Sequence, residues 1–433
     1  MQLDETIYVG IDLNDSYTQI SYYKKGMQEP LSLSPVNGSE QYMIPTAIAK
    51  KEGSGQWYCG KEALKSLPGL LVTKLFTRAL INDSVPMEGE VFPVKELFLL
   101  FLRKVLLLAT GIGFQKSRDQ VVVTIQKQTK ENVALLRSMM ERLGVPEEQL
   151  KICSYQEAFA RFILYQEPTI WNHEVVLFDY WKEELVYTRL WIEPKKTPKL
   201  IQEEQEVIED FIEFRKENTG ITREEWNEKQ DQILDAIVKR VFQGKIISAV
   251  YLVGTGFDGD WMRKSLEKIA TGRRAFSGKN LYTKGACYYG TYTDANETQY
   301  LYLGEDQLPF HVCLKVREGK DYAYKVIIPA GVSWQDAKGV CEVILKGTAE
   351  FAVFLKELEG KRMFTQSFPL ENLSQRPEKT SRLRIQICAI EKEKFQVRVK
   401  DLGFGKLFPS SETVWEFEFE LPGSNERSKK WES

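Results

Sequence analysis

Histidine, paired cysteine and an excess of either charge are what this sequence has least of. Two histidines, His173 and His311, and six scattered cysteines with no C-x-x-C pair leave no zinc-type ligand spacing and no disulfide framework. Cys59, Cys153, Cys287, Cys313, Cys341 and Cys388 therefore read as small apolar groups. No serine or cysteine nucleophile motif stands beside a histidine, so acyl-transfer chemistry has no support. Lysine and arginine number 59 against 61 acidic residues, a formal net charge of −2, which supplies no basic field for nucleic acid and no polybasic membrane anchor. The greasiest run, residues 97–108, is interrupted by Arg103 and Lys104 and is too short to span a bilayer. The opening residues MQLDETIYV show no charged-then-apolar leader. A cytoplasmic protein with neither nucleic acid nor membrane as partner is expected.

What is present is a long alternation of strand and helix followed by a change of texture. With 433 residues and 43 % apolar content, two or three domains can each bury a core. Residues 6–23 read as a β-hairpin whose short polar turn holds Asp12, Asn14, Asp15 and Ser16. The backbone N–H groups of such a turn converge and can cradle phosphate when the side chains are small. Residues 71–80 and 93–110 read as helices, and 121–125 (VVVTI) as a buried strand. A helix over 129–144 takes Thr129 as its N-cap and ends at Gly144. Residues 155–165 form another helix, and 174–192 a second hairpin the size of the first, which points to an internally duplicated α/β domain. Residues 201–245 are strongly charged and read as helical, with the capping box Thr222-x-x-Glu225 inside them. Residues 249–256 (AVYLVGTG) are a buried strand running into a turn. Gly254 and Gly256 there let a ligand approach the backbone, though a tight strand-to-helix turn needs glycine as often. Beyond residue 292 short alternating strands predict an all-β sandwich of seven or eight strands.

These stretches in this order resemble the actin, hexokinase and heat-shock chaperone superfamily, and most closely a DnaK-type chaperone without its lid. GIDLNDS at residues 10–16 is similar to the family's first phosphate hairpin, GIDLGTT. IPT at 44–46 and GKEA at 60–63 resemble its next landmarks, and Lys74 and Arg78 its lysine–arginine pair near the phosphates. Glu157 resembles the connecting-helix glutamate, VGTG at 253–256 the adenosine-binding VGG, and KGACYYG at 284–290 the second connecting helix. FQVRVKDLGFGK at 395–406 resembles the end of the substrate sandwich. The resemblance implies an α/β, duplicated actin-like (ribonuclease-H-like) ATPase fold over residues 1–292. An apolar linker over 293–306, an all-β sandwich over 307–421 and a disordered tail over 422–433 follow. ATP or ADP with Mg²⁺ would be the implied cofactor. Asp12 and Asp179 would hold the metal, Asn14, Ser16, Gly254 and Gly256 would meet the nucleotide, and Asp12, Lys74, Glu157 and Asp179 are relic catalytic candidates.

The departures decide the expected function. The second hairpin carries Trp181, Lys182, Glu183 and Glu184 where the family has three glycines and a threonine. Added acids, Asp15 among them, repel a polyanion at a few ångströms by roughly 1–4 kcal/mol each. Each residue also has a plain alternative role. Asp12 and Asp179 can cap turns, Glu157 can be a solvated helix residue, Lys74 and Arg78 can snorkel at a surface, and Tyr17, Tyr22 and Tyr23 can be sheet packing. The first expectation is a catalytically degenerate, DnaK-like scaffold acting through protein interaction, with the sandwich binding an extended peptide or a partner strand weakly for want of a lid. The alternative is an ATP-binding chaperone or ATPase with a rebuilt site, and a third, weaker reading is an actin-like polymer subunit.

Overall fold

β-Branched and aromatic residues alternate through Ile7–Leu13 and Tyr17–Lys24, and these two strands pair in antiparallel register from Ile7↔Lys24 to Leu13↔Thr18. In the computed structural model, which describes residues 6–36, 38–181, 184–193, 197–209, 211, 220–291, 299–346, 349–358 and 362–422, this hairpin is the centre of the first sheet. Leu150–Ser154 and Gln120–Ile125 lie parallel on one side of Ile7–Leu13, and Leu31–Ser32 pairs beyond Tyr17–Lys24. Val121, Val122, Val123 and Ile125 are at most 1 % exposed, as a strand covered on both faces must be. Each such side chain contributes about 1.5–3 kcal/mol by burial.

The second sheet repeats that plan. Arg274–Gly278 and Ile247–Val253 lie parallel beside Glu174–Trp181, which forms a hairpin with Glu184–Glu193, and Lys199–Val207 pairs antiparallel beyond it. The chain is thus mixed α/β, with two sheets sharing strand order and direction. The charged stretch from residue 201 is not helical at its start. Residues 199–207 are the strand Lys199–Val207, because Leu200 and Ile201 are buried and cross-strand pairing on Glu184–Glu193 overrides the helical propensity of Glu and Gln. The helix begins at Arg223 behind the full capping box of Thr222 and Glu225. Likewise residues 71–72 form a strand, and the helix read over 71–80 is only Leu75–Leu80.

Helices Tyr155–Leu164 and Leu281–Thr291 each follow the outer parallel strand of their own sheet and cross closely. A Cβ on Gly285 would stand 2.0 Å from the Ala158 carbonyl oxygen, and one on Gly10 would stand 2.2 Å from that of Thr283, so glycine alone permits these approaches. Helix Val94–Thr110 is buried along Leu97, Phe98, Phe101, Leu102 and Val105 against the first sheet's core. No helix among the described residues is long and apolar enough to cross a membrane.

The chain divides into two compact units, 1–300 and 301–433. In the second, Asp321–Ile328, Phe310–Glu318, Glu350–Glu357 and Met363–Pro369 form one antiparallel sheet, and Lys338–Ile344, Arg382–Ala389, Lys394–Asp401 and Val414–Glu420 another. Their alternate residues, among them Phe310, Val312, Val353, Leu383, Ile385, Val397 and Phe419, share one core. At its edge Asp401, wholly buried, accepts two hydrogen bonds from Arg376 (2.8 and 2.6 Å), one from the Gly403 N–H and two from Ser411. The tail from residue 423 and linker residues 292–298 lie outside the described residues.

Candidate functional site

The two hairpins turn toward a cleft of about 1110 Å³ within the first unit. Asp12 and Asp179 hold the same place in their strands, each one or two residues before its turn, and both are buried (0 % and 9 % exposed). Neither caps a turn. Tyr155, first residue of one crossing helix, donates its hydroxyl to Asp12 Oδ1 at 2.7 Å. Tyr282, near the start of the other, donates to Asp179 Oδ2 at 2.5 Å. The two tyrosine rings stack, with centroids 4.1 Å apart and planes 12° from parallel. A pair of aspartate–tyrosine contacts, one from each half of the unit, thus meets between the sheets. The second oxygens, Asp12 Oδ2 and Asp179 Oδ1, have no hydrogen-bond partner of good geometry.

Burial is what sets the chemistry of these acids. Desolvation pushes the Asp12 carboxyl from 3.8 up to about 7; the Tyr155 hydrogen bond opposes that rise and the charge of Asp179 adds to it. Desolvation also raises Asp179 to about 7, against hydrogen bonds from Tyr282 and Trp181 and with help from the nearby charge of Glu184. Tyr17, Tyr155 and Tyr282 are pushed far above the usual phenol range, by burial first and then by these carboxylates. The tyrosines remain donors throughout the accessible pH range. Among the described residues no cluster of three or more His, Cys, Asp or Glu could hold a metal ion.

The first turn is already occupied. Asn14 Oδ1 accepts the backbone N–H groups of Ser16 (2.9 Å) and Tyr17 (3.0 Å), the Asn14 N–H bonds Tyr17 O, and Asn14 Nδ2 reaches the Tyr155 hydroxyl at 3.1 Å. An Asx turn therefore takes up the Ser16 and Tyr17 N–H groups, two of the donors that a phosphate cradle would present. Asp15 accepts the Thr77 N–H at 3.0 Å and the Thr77 hydroxyl, so it satisfies the start of helix Leu75–Leu80 rather than standing free against an anion. At the second hairpin Trp181 pairs with Glu184 across the turn, and Trp181 packs on Tyr17 with centroids 4.5 Å apart. The facing turns are bridged by two aromatic rings. Lys182 and Glu183 lie outside the described residues.

The remaining predicted residues are dispersed. Gly254 and Gly256 face Tyr180: a Cβ would meet the Tyr180 carbonyl oxygen at 2.1 Å in one case and its ring at 2.2 Å in the other. Their small size serves the packing of that ring among Phe211, Phe257 and Trp261. Lys74 is exposed and is not part of the cleft wall, and Arg78 pairs with Asp83 at 2.6 Å. Glu157 is not solvated; it is 3 % exposed in a helix buried nearly all round, at Tyr155, Ala158, Phe159, Ala160, Arg161 and Ile163 as well. Reading from sequence missed Tyr155, Tyr282, Asn14 as a turn closer, and Gln19. Position could have exposed Tyr155, which follows the N-cap Ser154 at the end of a parallel strand, the usual place for an inward-facing polar group in an α/β sheet.

The match to family profiles covers most of the molecule. Residues 29–305 fit the description "Family of unknown function (DUF5716) C-terminal". The chain belongs to that family. Residues 307–421 fit "Domain of unknown function (DUF8552)". No curated protein matches the chain.

Proposed function

We propose that this chain is a non-hydrolysing scaffold of the actin and heat-shock chaperone type, with a duplicated actin-like first unit and a β-sandwich second unit that takes an extended peptide or a partner's strand. The observation that carries the reading is the closed phosphate path. Asn14 holds the Ser16 and Tyr17 N–H groups, and Tyr17 meets Trp181 where two glycine-bearing turns would otherwise leave room. The common strand order of the two sheets and the paired crossing helices support the actin-like part. Two four-stranded sheets around one core support the sandwich, a surface on which peptide recognition by strand addition is chemically natural.

Thermal denaturation of the full chain with millimolar Mg²⁺-ATP or Mg²⁺-ADP tests the first half. A ligand that binds only the folded form at a hundred times its Kd adds about 2.7 kcal/mol, so an unchanged melting temperature is expected and a clear rise overturns the reading in favour of a rebuilt nucleotide site. The cleft of about 1110 Å³ is the observation that keeps that second reading in play. Fluorescent apolar heptapeptides titrated into the full chain test the other half: saturable anisotropy at roughly micromolar or weaker affinity, with fast dissociation, is expected.

A further inference from the structure

With the Ser16 and Tyr17 N–H groups held by Asn14, the cleft, whose wall also carries Lys61, Lys127 and Lys279, still offers unpaired acceptors and aromatic rings. Asp179 is 9 % exposed, lines the cleft, and has Oδ2 on Tyr282 while Oδ1 has no well-placed partner. Gln19 is 1 % exposed, lines the same cleft, and neither atom of its carboxamide has a hydrogen-bond partner. Buried polar atoms left unpaired are costly, and a ligand that supplies the complement recovers that cost. Glu184, exposed on the same hairpin, adds negative charge beside Asp179. Lys279, also on the cleft wall, is already held by Asp258 at 2.7 Å. The indole of Trp181, packed against Tyr17, supplies the flat apolar surface.

We propose that this cleft binds a guanidinium group, with Asp179 as its carboxylate partner, Gln19 as a second acceptor and the Trp181–Tyr17 pair as the surface on which it stacks. The chemistry selects among cations. Guanidinium is planar, weakly hydrated, donates in a fork and stacks on indole faces, whereas an ammonium is a strongly hydrated point charge that gains less from a flat wall. Beside Asp179 a polyanion is disfavoured by that carboxylate and Glu184 together. The group could reach the cleft on a free small molecule or on an arginine side chain of a partner peptide.

Calorimetric titration of the full chain with agmatine, N-acetyl-arginine amide and an arginine-centred pentapeptide tests the site, with the corresponding citrulline amide as the uncharged isostere. At least one guanidinium compound should bind saturably with Kd below about 1 mM, and citrulline about tenfold more weakly. Asp179→Asn keeps an acceptor for Tyr282 and should lose about tenfold in affinity, while Glu184→Gln should lose about two- to fivefold through charge alone. Tighter agmatine would identify a free ligand as the source, and a tighter pentapeptide a partner's side chain. Absence of saturation at about 10 mM, equal affinity for the citrulline and arginine amides, or undiminished binding by Asp179→Asn would each overturn the proposal. Should Asp179→Asn fail to fold, Glu184→Gln decides: an affinity equal to that of the parent chain overturns it. Since nucleotide plays no part in these titrations, their outcome is independent of the scaffold reading.

Discussion

Asp401 in the second unit and the pair Asp12 and Asp179 in the first are buried aspartates handled in opposite ways. Asp401 in the second unit is wholly buried, yet Arg376, Ser411 and the Gly403 N–H outweigh its desolvation and hold its carboxyl well below the usual range. Asp12 and Asp179 in the first unit receive one tyrosine hydroxyl each, and burial lifts both to about 7. The contrast separates a fastener from a site. A carboxylate ringed by a cation and three further donors is committed to structure, whereas one with a free oxygen and a near-neutral pKa retains capacity to bind something.

The largest expected effect breaks the fastener. Arg376→Ala leaves Asp401 buried without its cation and should cost on the order of 3–5 kcal/mol, read as a lower denaturant midpoint for the second unit; a loss under about 1 kcal/mol would show that the pair is not a fastener.

Next comes pH, where the two regions should move with opposite sign. Asp12 and Asp179 have folded-state values raised from 3.8 to about 7. The stability they contribute is fully present below about 3.8 and is lost as pH rises through about 7. Between pH 5 and 8 the first unit should weaken by on the order of a few kcal/mol, in the direction set by the folded state holding more protons. Asp12→Asn with Asp179→Asn should flatten that slope. Asp401, depressed in the folded state, stabilises above the ordinary carboxylate range and should lose its contribution only as pH falls below it. Urea midpoints at stepped pH measure both arms, and a first unit that strengthens from pH 5 to 8 would contradict the assignment.

Smaller effects resolve the two halves of the site. Tyr155→Phe should cost about 1–3 kcal/mol because Asp12, with no exposure, cannot replace the lost hydrogen bond with water. Tyr282→Phe should cost less, since Asp179 lines the cleft and water can reach it. Equal losses in thermal unfolding would mean that the two acids are equally enclosed. Smallest of all, Asp15→Ala removes the acceptor for the Thr77 N–H and should cost about 0.5–1 kcal/mol, visible as faster amide exchange in helix Leu75–Leu80 with little change elsewhere.

What the sequence determined by itself was local. The alternation in Ile7–Leu13 and Tyr17–Lys24, the valine run in Gln120–Ile125, Thr129 capping its helix and the capping box of Thr222 and Glu225 all depend on neighbours within a few residues, so their pattern carries the physics. The mixed α/β character followed from those pieces. Where a distant strand supplied the stabilisation, as for Lys199–Val207, local propensity pointed the wrong way. Only the tertiary structure could decide the site, because its contacts bridge 143 residues between Tyr155 and Asp12, 103 between Tyr282 and Asp179, and 62 between Thr77 and Asp15. Whether an aspartate caps a turn, binds an arginine or waits half-satisfied beside a tyrosine depends on what the fold brings within 3 Å of its oxygens, and no spacing along the chain encodes that.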